Sequence, residues 1–199
     1  IDTQHKFAEL VSGLDLNGKT YLDVGCNEGE MVYMASQLGA IAEGIDLHEA
    51  HVNTCRELHP DLKFRMERGG MITGHFDVIT ASAMFHYVED RPRFLNQLAR
   101  AGDVIRIDIW LAEGGDNALV LDRYDRFIPT KNAFKHMAGK FFGEIKELGQ
   151  CATPDGSYRE IFELSDPKPK PPQAVLIYGL ANTGKTTMAR SMTEHRRVE

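Results

Sequence analysis

The sequence predicts an α/β fold with a mainly parallel, seven-stranded sheet and helices on both faces. Short apolar runs alternate with segments of helical periodicity along residues 1–166, and turn signals separate them. Strands that are separated by helices form βαβ units, which give parallel sheets. The last two strand-like runs are joined only by a turn at residues 153–156, which predicts an antiparallel final strand and an antiparallel edge.

The first half of this region contains three helices and three strands. The opening helix is amphipathic, and the Asn17-Gly18 turn precedes a largely apolar strand that ends at a glycine. Apolar residues at helical spacing define the second helix, and Pro60 ends the third, because the residue before proline is biased away from helical backbone. The predicted helices cover residues 3–11, 28–38 and 48–58, and the predicted strands cover residues 20–24, 41–45 and 62–66.

Prolines mark the helices of the second half. Pro92 and Pro129 stand where a helix can begin, since the first helical turn does not need the missing N–H. The segment between the third and fourth strands, residues 67–75, is short enough to predict one helical turn or none. The predicted helices cover residues 92–100 and 129–139, and the predicted strands cover residues 76–81, 104–111, 143–148 and 158–164.

Composition limits the classes of function. Hydrophobic residues make up 42% of the chain and charged residues 26%, which is typical of a folded protein, and the net charge of −6 argues against broad nucleic-acid binding. No run of about 20 apolar residues occurs, so no membrane span is expected. Cys26, Cys55 and Cys151 give neither a disulfide framework nor zinc spacing, and His48 and His51 lack an evident third ligand. We therefore expect a reducing, cytoplasmic location and no metal site.

The chain divides at a proline-rich stretch, residues 167–173, which holds four of its eight prolines. Proline fixes φ and has no N–H, so this stretch is expected to be an extended linker. Residues 167–199 carry a net charge of +4, which leaves −10 for residues 1–166 out of the chain's −6. We expect one domain over residues 1–166 and the start of a second over residues 174–199.

A glycine turn joins the first strand to the second helix. Asp23 precedes the turn, and Gly25 allows a tight bend and the close approach of a ligand. Asn27 stands where left-handed backbone is common and is well tolerated by asparagine, while Gly29 lets the helix pack near the sheet. Asp46 follows Gly25 by 21 residues and ends the next strand, where an acid can accept hydrogen bonds from both ribose hydroxyls. Capping of a turn is the alternative role for both acids.

These residues resemble the class I S-adenosylmethionine-dependent methyltransferases. The matching segments are residues 22–29, 44–46, 76–79 and 84–90, and a weaker match follows at residues 129–139. The resemblance covers essentially residues 1–166 and implies a Rossmann-like fold with S-adenosylmethionine as cofactor. The sequence departs from the family at Asn27, where glycine is more common. A dehydrogenase, the competing interpretation, would prefer Gly-x-Gly-x-x-Gly, which the turn lacks.

The resemblance also implies how the cofactor is held. Asp23 would hold its amino-acid end and Asp46 its ribose. The other implied contacts are Gly25, Cys26, Asn27 and Gly29 on the methionine side, Leu47, Met66 and Glu67 beside the adenine, and Ala81, Ser82 and Ala83 under the sulfonium. For Met66, ordinary core packing is an equal alternative.

His86, just after the fourth strand, is the candidate general base, because an imidazole suits proton removal near pH 7. A structural role is the favoured alternative, and an acceptor that is already ionised, such as a phosphate or carboxylate, would need no base. The remaining candidates are Asp108 and Trp110, which face the acceptor, the core or the surface, and Arg106, Arg123 and Arg126, which bind an anionic acceptor or lie on the surface.

Residues 179–186, after an apolar run, resemble the P-loop of nucleoside-triphosphate enzymes. Backbone amides between Gly179 and Gly184 would cradle phosphates, Lys185 would pair with the β- and γ-phosphates, and Thr186 would bind magnesium. Only 26 residues run from Ala174 to the end, too few for a phosphotransferase, so ATP and magnesium are expected only with the complete domain.

Together these features predict the methyltransferase part of a bifunctional methyltransferase–kinase. The expected reaction is O-methylation of a small molecule or a glycan, phosphorylated or not, and the expected partners are that acceptor and the rest of the P-loop domain. Two alternatives remain open: a regulatory module that binds S-adenosylmethionine without turnover, and a methyltransferase that acts on nucleic-acid ends.

Overall fold

A seven-stranded sheet organises the fold, which is described by a computed structural model over residues 3–67, 72–122, 124–153 and 157–169. The strands of the described residues are β1 (Thr20–Val24), β2 (Ile41–Asp46), β3 (Lys63–Met66), β4 (Phe76–Ser82), β5 (Gly102–Ile109), β6 (Leu119–Leu121), β7 (Phe127–Pro129), β8 (Phe142–Ala152) and β9 (Tyr158–Pro167). The sheet has the order β3-β2-β1-β4-β5-β9-β8, and β9 runs antiparallel to both of its neighbours, β5 and β8, while the other pairs are parallel. The predicted α/β class, the seven strands of the sheet and the antiparallel final strand are confirmed.

Helices cover both faces of this sheet because its strands are apolar on both sides, as in other buried parallel sheets. One core cluster joins the sheet to Leu95 and Phe134, and the other joins it to Phe7, Val32 and Val52. The helices are α1 (Thr3–Leu10), α2 (Glu30–Gln37), α3 (Glu49–Leu58), α4 (Arg91–Ala101) and α5 (Lys131–Ala138). The first cluster therefore holds α4 and α5, and the second holds α1, α2 and α3.

The predicted antiparallel edge is confirmed, because β8 pairs antiparallel with β9 and forms the edge of the sheet. One sequence prediction is wrong in detail. Pro129 does not open a helix: it ends β7, which pairs with β6 in a separate hairpin that the sequence did not reveal. Helix α5 begins after Thr130 instead, whose Oγ1 accepts a hydrogen bond from the Ala133 amide as an N-cap.

Several predictions lie outside the described residues. They are the P-loop residues Gly179, Gly184, Lys185 and Thr186, the candidate Arg123, most of the linker, and part of residues 67–75. Within the described part of the chain, no helix has the length and apolar composition needed to span a membrane.

Gly44 of β2 lies at a crowded point between the sheet and helix α2. A Cβ added there would lie 2.9 Å from Cys26 Sγ, Phe64 Cδ1 and Val32 Cγ2. Such distances force the neighbouring side chains to move, so we expect Gly44→Ala to lower the free energy of unfolding by about 1–3 kcal/mol.

The measurement is urea denaturation followed by circular dichroism. Gly115→Ala is the matched control, because nothing lies within 4 Å of a Cβ at Gly115, and its stability should stay within about 0.5 kcal/mol of the parent. Equal midpoints for the two variants would contradict the close packing at Gly44.

Candidate functional site

The glycine turn after β1 is held by the end of the neighbouring strand. The amides of Gly25 and Cys26 both donate to the carbonyl oxygen of Ile45, at 2.8 and 3.0 Å. Asn27 has a φ of 48°, which confirms the predicted left-handed position. A Cβ on Gly29 would lie 2.8 Å from the Phe64 ring, so this glycine permits the close packing of helix and sheet that the sequence predicts.

Asp46 connects this turn to the loop after β2. Its Oδ2 accepts a hydrogen bond from the Asn27 amide at 3.0 Å, and its Oδ1 accepts one from the His48 amide at 2.9 Å. His51 Nδ1 lies 3.2 Å from the same Oδ1. The carboxylate therefore caps the turn, and it also lines the cavity described next, so the two roles considered for it are compatible.

A cavity of about 1000 Å³, here called the main cavity, lies at the carboxyl ends of β1, β2 and β4. Parallel α/β sheets bind ligands at this edge. The predicted cofactor-binding residues that line it are Asp23, Gly25, Cys26, Asn27, Asp46, Leu47, Glu67, Ser82 and Ala83. Three others do not line it: Gly29 faces Phe64, Met66 packs against the second core cluster, and Ala81 is fully buried in the first.

Asp23 is a buried carboxylate in the floor of the main cavity. Its Oδ1 accepts a hydrogen bond from Thr80 Oγ1 at 2.7 Å, and Thr80 Oγ1 lies 2.6 Å from the buried Tyr21 hydroxyl. Burial raises the pKa of Asp23 to about 6, even though this hydrogen bond and the charge of Lys6 act in the opposite direction. The negative charges of Asp46 and Asp108 add to the rise.

The cavity wall also includes residues that the sequence did not suggest. Lys6 comes from α1 and Gln97 comes from α4. No local motif identifies them, because chain folding alone brings these elements to the glycine turn. Buried atoms without a hydrogen-bond partner among the described residues include Ser82 Oγ and Gln97 Oε1, both on residues of this wall.

Among the described residues that line the main cavity, acidic side chains outnumber basic ones. The acidic residues are Asp23, Glu28, Glu30, Asp46, Glu67, Glu89 and Asp90, and the basic ones are Lys6 and Arg93. The cavity lined by these residues is therefore electronegative, and it favours a ligand that carries positive charge.

His86 lies beside the main cavity rather than in its wall. It belongs to a short 3-10 helix (Phe85–Tyr87), is 8% exposed, and packs against the rings of Tyr87 and Trp110. Burial lowers the pKa of His86 to about 4, and the positive charges of Arg126 and Arg159 contribute. The imidazole is therefore neutral at pH 7 and is a weaker base than a free histidine.

Arg126 forms a cluster with three aromatic rings and one acid. Its guanidinium lies 5.6, 5.5 and 4.7 Å from the ring centres of Tyr87, Trp110 and Tyr124. Its Nε and Nη2 donate to Asp122 Oδ2 at 2.9 and 2.7 Å. Although desolvation opposes it, these bonds lower the pKa of Asp122 to about 2.

The Arg126 cluster joins two cavities. Tyr87 lines the main cavity, while Trp110, Asp122 and Tyr124 line a second one of about 610 Å³, here called the side cavity. Nη1 of Arg126 has no hydrogen-bond partner among the described residues. Arg106 and Arg126 are the singled-out arginines that lie among the described residues, and of these two it is Arg126 whose charge acts on His86.

Arg106 differs from what the sequence suggested, whereas Asp108 takes the core position that was one of its alternatives. Arg106 is 4% exposed and pairs with Glu163, so it is neither a surface charge nor an acceptor ligand. Asp108 is fully buried but polar in its contacts: it bonds Arg159 Nη1 at 2.6 Å and the Ala83 amide at 2.9 Å. Both residues form ion pairs that join β5 to β9. The sequence alone does not reveal these pairs, because the two members of each pair lie far apart along the chain.

The low pKa of His86 gives a prediction about stability. Because the folded-state pKa of about 4 lies below the unfolded value of about 6.5, the unfolded chain takes up a proton first as the pH falls. The stability that neutral His86 contributes is present above pH 6.5 and is lost towards pH 4. We expect the parent to lose about 2 kcal/mol relative to His86→Gln between pH 7.5 and pH 5.

Urea denaturation of both proteins across this range measures the difference. The comparison with a variant is needed because Asp23, with its raised pKa, changes stability in the opposite direction, losing its contribution as the pH rises through about 6. His86→Asn should reproduce His86→Gln, since neither side chain titrates. A parent and variants whose stabilities fall in parallel would contradict the low pKa.

Comparisons with known proteins agree with this geometry. Residues 22–102 match a family model described as a methyltransferase domain. A curated relative, the O-antigen chain terminator bifunctional methyltransferase/kinase WbdD of Escherichia coli, is 27% identical over 108 residues, which is 46% of this chain and only 15% of the relative's length.

Solved structures share the fold at low sequence identity. Magnesium protoporphyrin IX methyltransferase from Synechocystis PCC 6803, solved with bound SAH, aligns with a TM-score of 0.66 and 18% identity over 82% of this chain and 81% of that one. WbdD, solved with a kinase inhibitor, aligns with a TM-score of 0.63 and 17% identity over 83% of this chain and 41% of that one. The described part of the chain therefore has the Rossmann-like fold of S-adenosylmethionine-dependent methyltransferases, and its residues 22–102 match the methyltransferase-domain family.

Proposed function

We propose that this chain binds S-adenosylmethionine and transfers its methyl group to an oxygen of a small-molecule or glycan acceptor. One observation carries the proposal: the glycine turn, Asp23 and Asp46 line a single large cavity at the carboxyl edge of the sheet, within the residues that match the methyltransferase model. The regulatory-module and nucleic-acid-end alternatives are not favoured by these comparisons.

The residues of the main cavity suit this cofactor. Asp23 and the excess of acids around it favour a ligand with a cationic ammonium and sulfonium over one with a diphosphate, such as NAD. Asp46 would hold the ribose hydroxyls, and Lys6 of α1 would pair with the carboxylate of the amino-acid end. Each part of the cofactor thus has a side chain of suitable charge in the wall.

When bound, S-adenosylmethionine supplies a methyl group that is already activated by the sulfonium. The protein's task is then to orient the acceptor and to keep the surroundings dry. His86 is a weak base with a pKa of about 4, which makes it poorly suited to remove a proton from an alcohol. Arg126 and Arg159, whose charges act on His86, favour an acceptor oxygen that is already ionised, as in a phosphate monoester.

The wider context of the domain is also a proposal. The P-loop pattern at residues 179–186 and the similarity to a bifunctional methyltransferase/kinase both support a methyltransferase domain over residues 1–166, a linker over 167–173 and the start of a kinase domain over 174–199. The relative's name mentions O-antigen, which supports a glycan acceptor. Free thiols at Cys26, Cys55 and Cys151 support a reducing, cytoplasmic location.

Calorimetric titration with S-adenosylmethionine, SAH, NAD and ATP tests the cofactor. We expect the first two to bind, and Asp46→Ala to weaken SAH binding at least about tenfold, since a charged hydrogen-bond acceptor is worth about 1.5–3 kcal/mol. Asp61→Ala, which removes an exposed carboxylate before β3, is the control and should bind SAH within about twofold of the parent. Binding of NAD or ATP in preference to both adenosyl compounds would refute the proposal.

Paired acceptors test the ionised oxygen. SAH formation is measured with a panel of free sugars and the corresponding sugar phosphates, and we expect turnover only with the phosphorylated member of a pair. Arg126→Gln should lower kcat/KM for that acceptor about 10- to 100-fold, because a charge-assisted contact is lost. Arg100→Gln on α4 is the matched control, since this arginine bonds only Asn96 among the described residues. Equal turnover of free and phosphorylated sugars would exclude an ionised acceptor.

A further inference from the structure

Asp108, next to the last residue of β5, is a fully buried carboxylate with a hydrogen-bond donor on each side. Its Oδ1 accepts a hydrogen bond from the Ala83 amide at 2.9 Å, and its Oδ2 accepts one from Arg159 Nη1 at 2.6 Å. Cys151 Sγ lies 3.6 Å from the same Oδ2. Asp108 thus connects the loop after β4 to the strand pair β8–β9 on the other side of β5.

The contact with Ala83 falls at a strained residue. Ala83 has a φ of 56°, a left-handed conformation that is unfavourable for any residue with a Cβ. A residue keeps such a conformation only where neighbouring groups stabilise it. The hydrogen bond from the Ala83 amide to Asp108 is one such stabilising contact.

The conformation of Ala83 determines what faces the glycine turn. Ser82 and Ala83 line the main cavity, and the next residue, Met84, has its Sδ 3.4 Å from where a Cβ on Gly25 would lie. His86 and Tyr87 follow directly in the 3-10 helix. A shift at Ala83 would therefore move the wall that meets the sulfonium side of the cofactor.

We infer that Asp108, oriented by Arg159, is a positioning residue that holds Ala83 in its left-handed conformation and so shapes the main cavity for the cofactor. The inference rests on the proposed function, because it takes the main cavity as the cofactor site. Asp108 itself does not line that cavity, so its effect on binding passes through the loop after β4.

A simpler role would be that Asp108 only neutralises the buried charge of Arg159. The two roles differ in how they depend on residue 83. If Asp108 stabilises the left-handed backbone of residue 83, the loop should depend less on Asp108 when this residue is glycine, because glycine adopts this conformation without steric cost. If Asp108 only balances Arg159, the residue at position 83 does not matter.

The experiment is a double-mutant cycle on the full chain, with the Kd for SAH measured by calorimetry and the Tm by circular dichroism. Asp108→Asn keeps the size of the side chain but offers one acceptor where two donors need one each. We expect it to raise the Kd about tenfold, and we expect Ala83→Gly to recover most of that loss when combined with it. Ala83→Gly in the parent gives the reference for the cycle.

Two further variants complete the design. Arg159→Lys keeps the charge but not the fork of donors, so it should raise the Kd and be corrected by Ala83→Gly in the same way, which tests the inference even if Asp108→Asn does not fold. Glu163→Gln is the matched control, since it removes the other buried ion pair between β5 and β9. It should lower the Tm while the Kd stays within about twofold.

The outcomes separate this inference from the proposed function. A parent that does not bind SAH overturns both. If the parent binds SAH, two results overturn the inference alone. One is that Asp108→Asn and Arg159→Lys leave the Kd unchanged. The other is that both variants raise the Kd and Ala83→Gly does not lower it again. Recovery of binding by Ala83→Gly in either variant background, larger than its effect in the parent, supports it.

Discussion

Three buried aspartates at the carboxyl ends of β1, β2 and β5 hold the loops around the main cavity. Each carboxylate is taken out of water, which is costly unless donors replace the lost hydration. The donors come from neighbouring segments: Thr80 for Asp23, the amides of Asn27 and His48 for Asp46, and the Ala83 amide with Arg159 for Asp108. Satisfying these charges therefore fixes the backbone of the turn after β1 and of the loop after β4.

The donors do not remove the mutual repulsion of these acids. Burial is the main cause of the raised pKa of Asp23, and the negative charges of Asp108 and Asp46 add to it, so these carboxylates repel one another. A cationic ligand relieves this repulsion, and binding of such a ligand is thereby coupled to the ionisation of Asp23. The feature that orders the loops also sets the charge of the ligand that the cavity prefers.

Sequence reasoning works where a function depends on a short segment. The turn with Gly25 and Asn27, and an acid at the end of the next strand, could be predicted because their spacing is set by one βαβ unit. Arg159 could not be assigned, since its bond to Asp108 joins residues 51 positions apart across two strands. Pro129 was misread for a similar reason: its suitability for a first helical turn is local, whereas its place in β7 depends on pairing with Leu119.

The site thus has two electrostatic halves, and their separation bears on the proposed chemistry. The β1–β2 side is acidic, while near the neutral His86 the charges of Arg126 and Arg159 are paired with Asp122 and Asp108, and Arg126 Nη1 has no hydrogen-bond partner among the described residues. A cation held on the first side and an anion on the second would be drawn together along the line between them. Methyl transfer from sulfonium to an ionised oxygen disperses both charges, and such a reaction is favoured where the dielectric is low, because separated charges are least stable there. A buried, neutral imidazole between charged residues suits this reaction better than it suits proton removal. Its ring excludes water from the site, and an acceptor that is already ionised has no proton to give up.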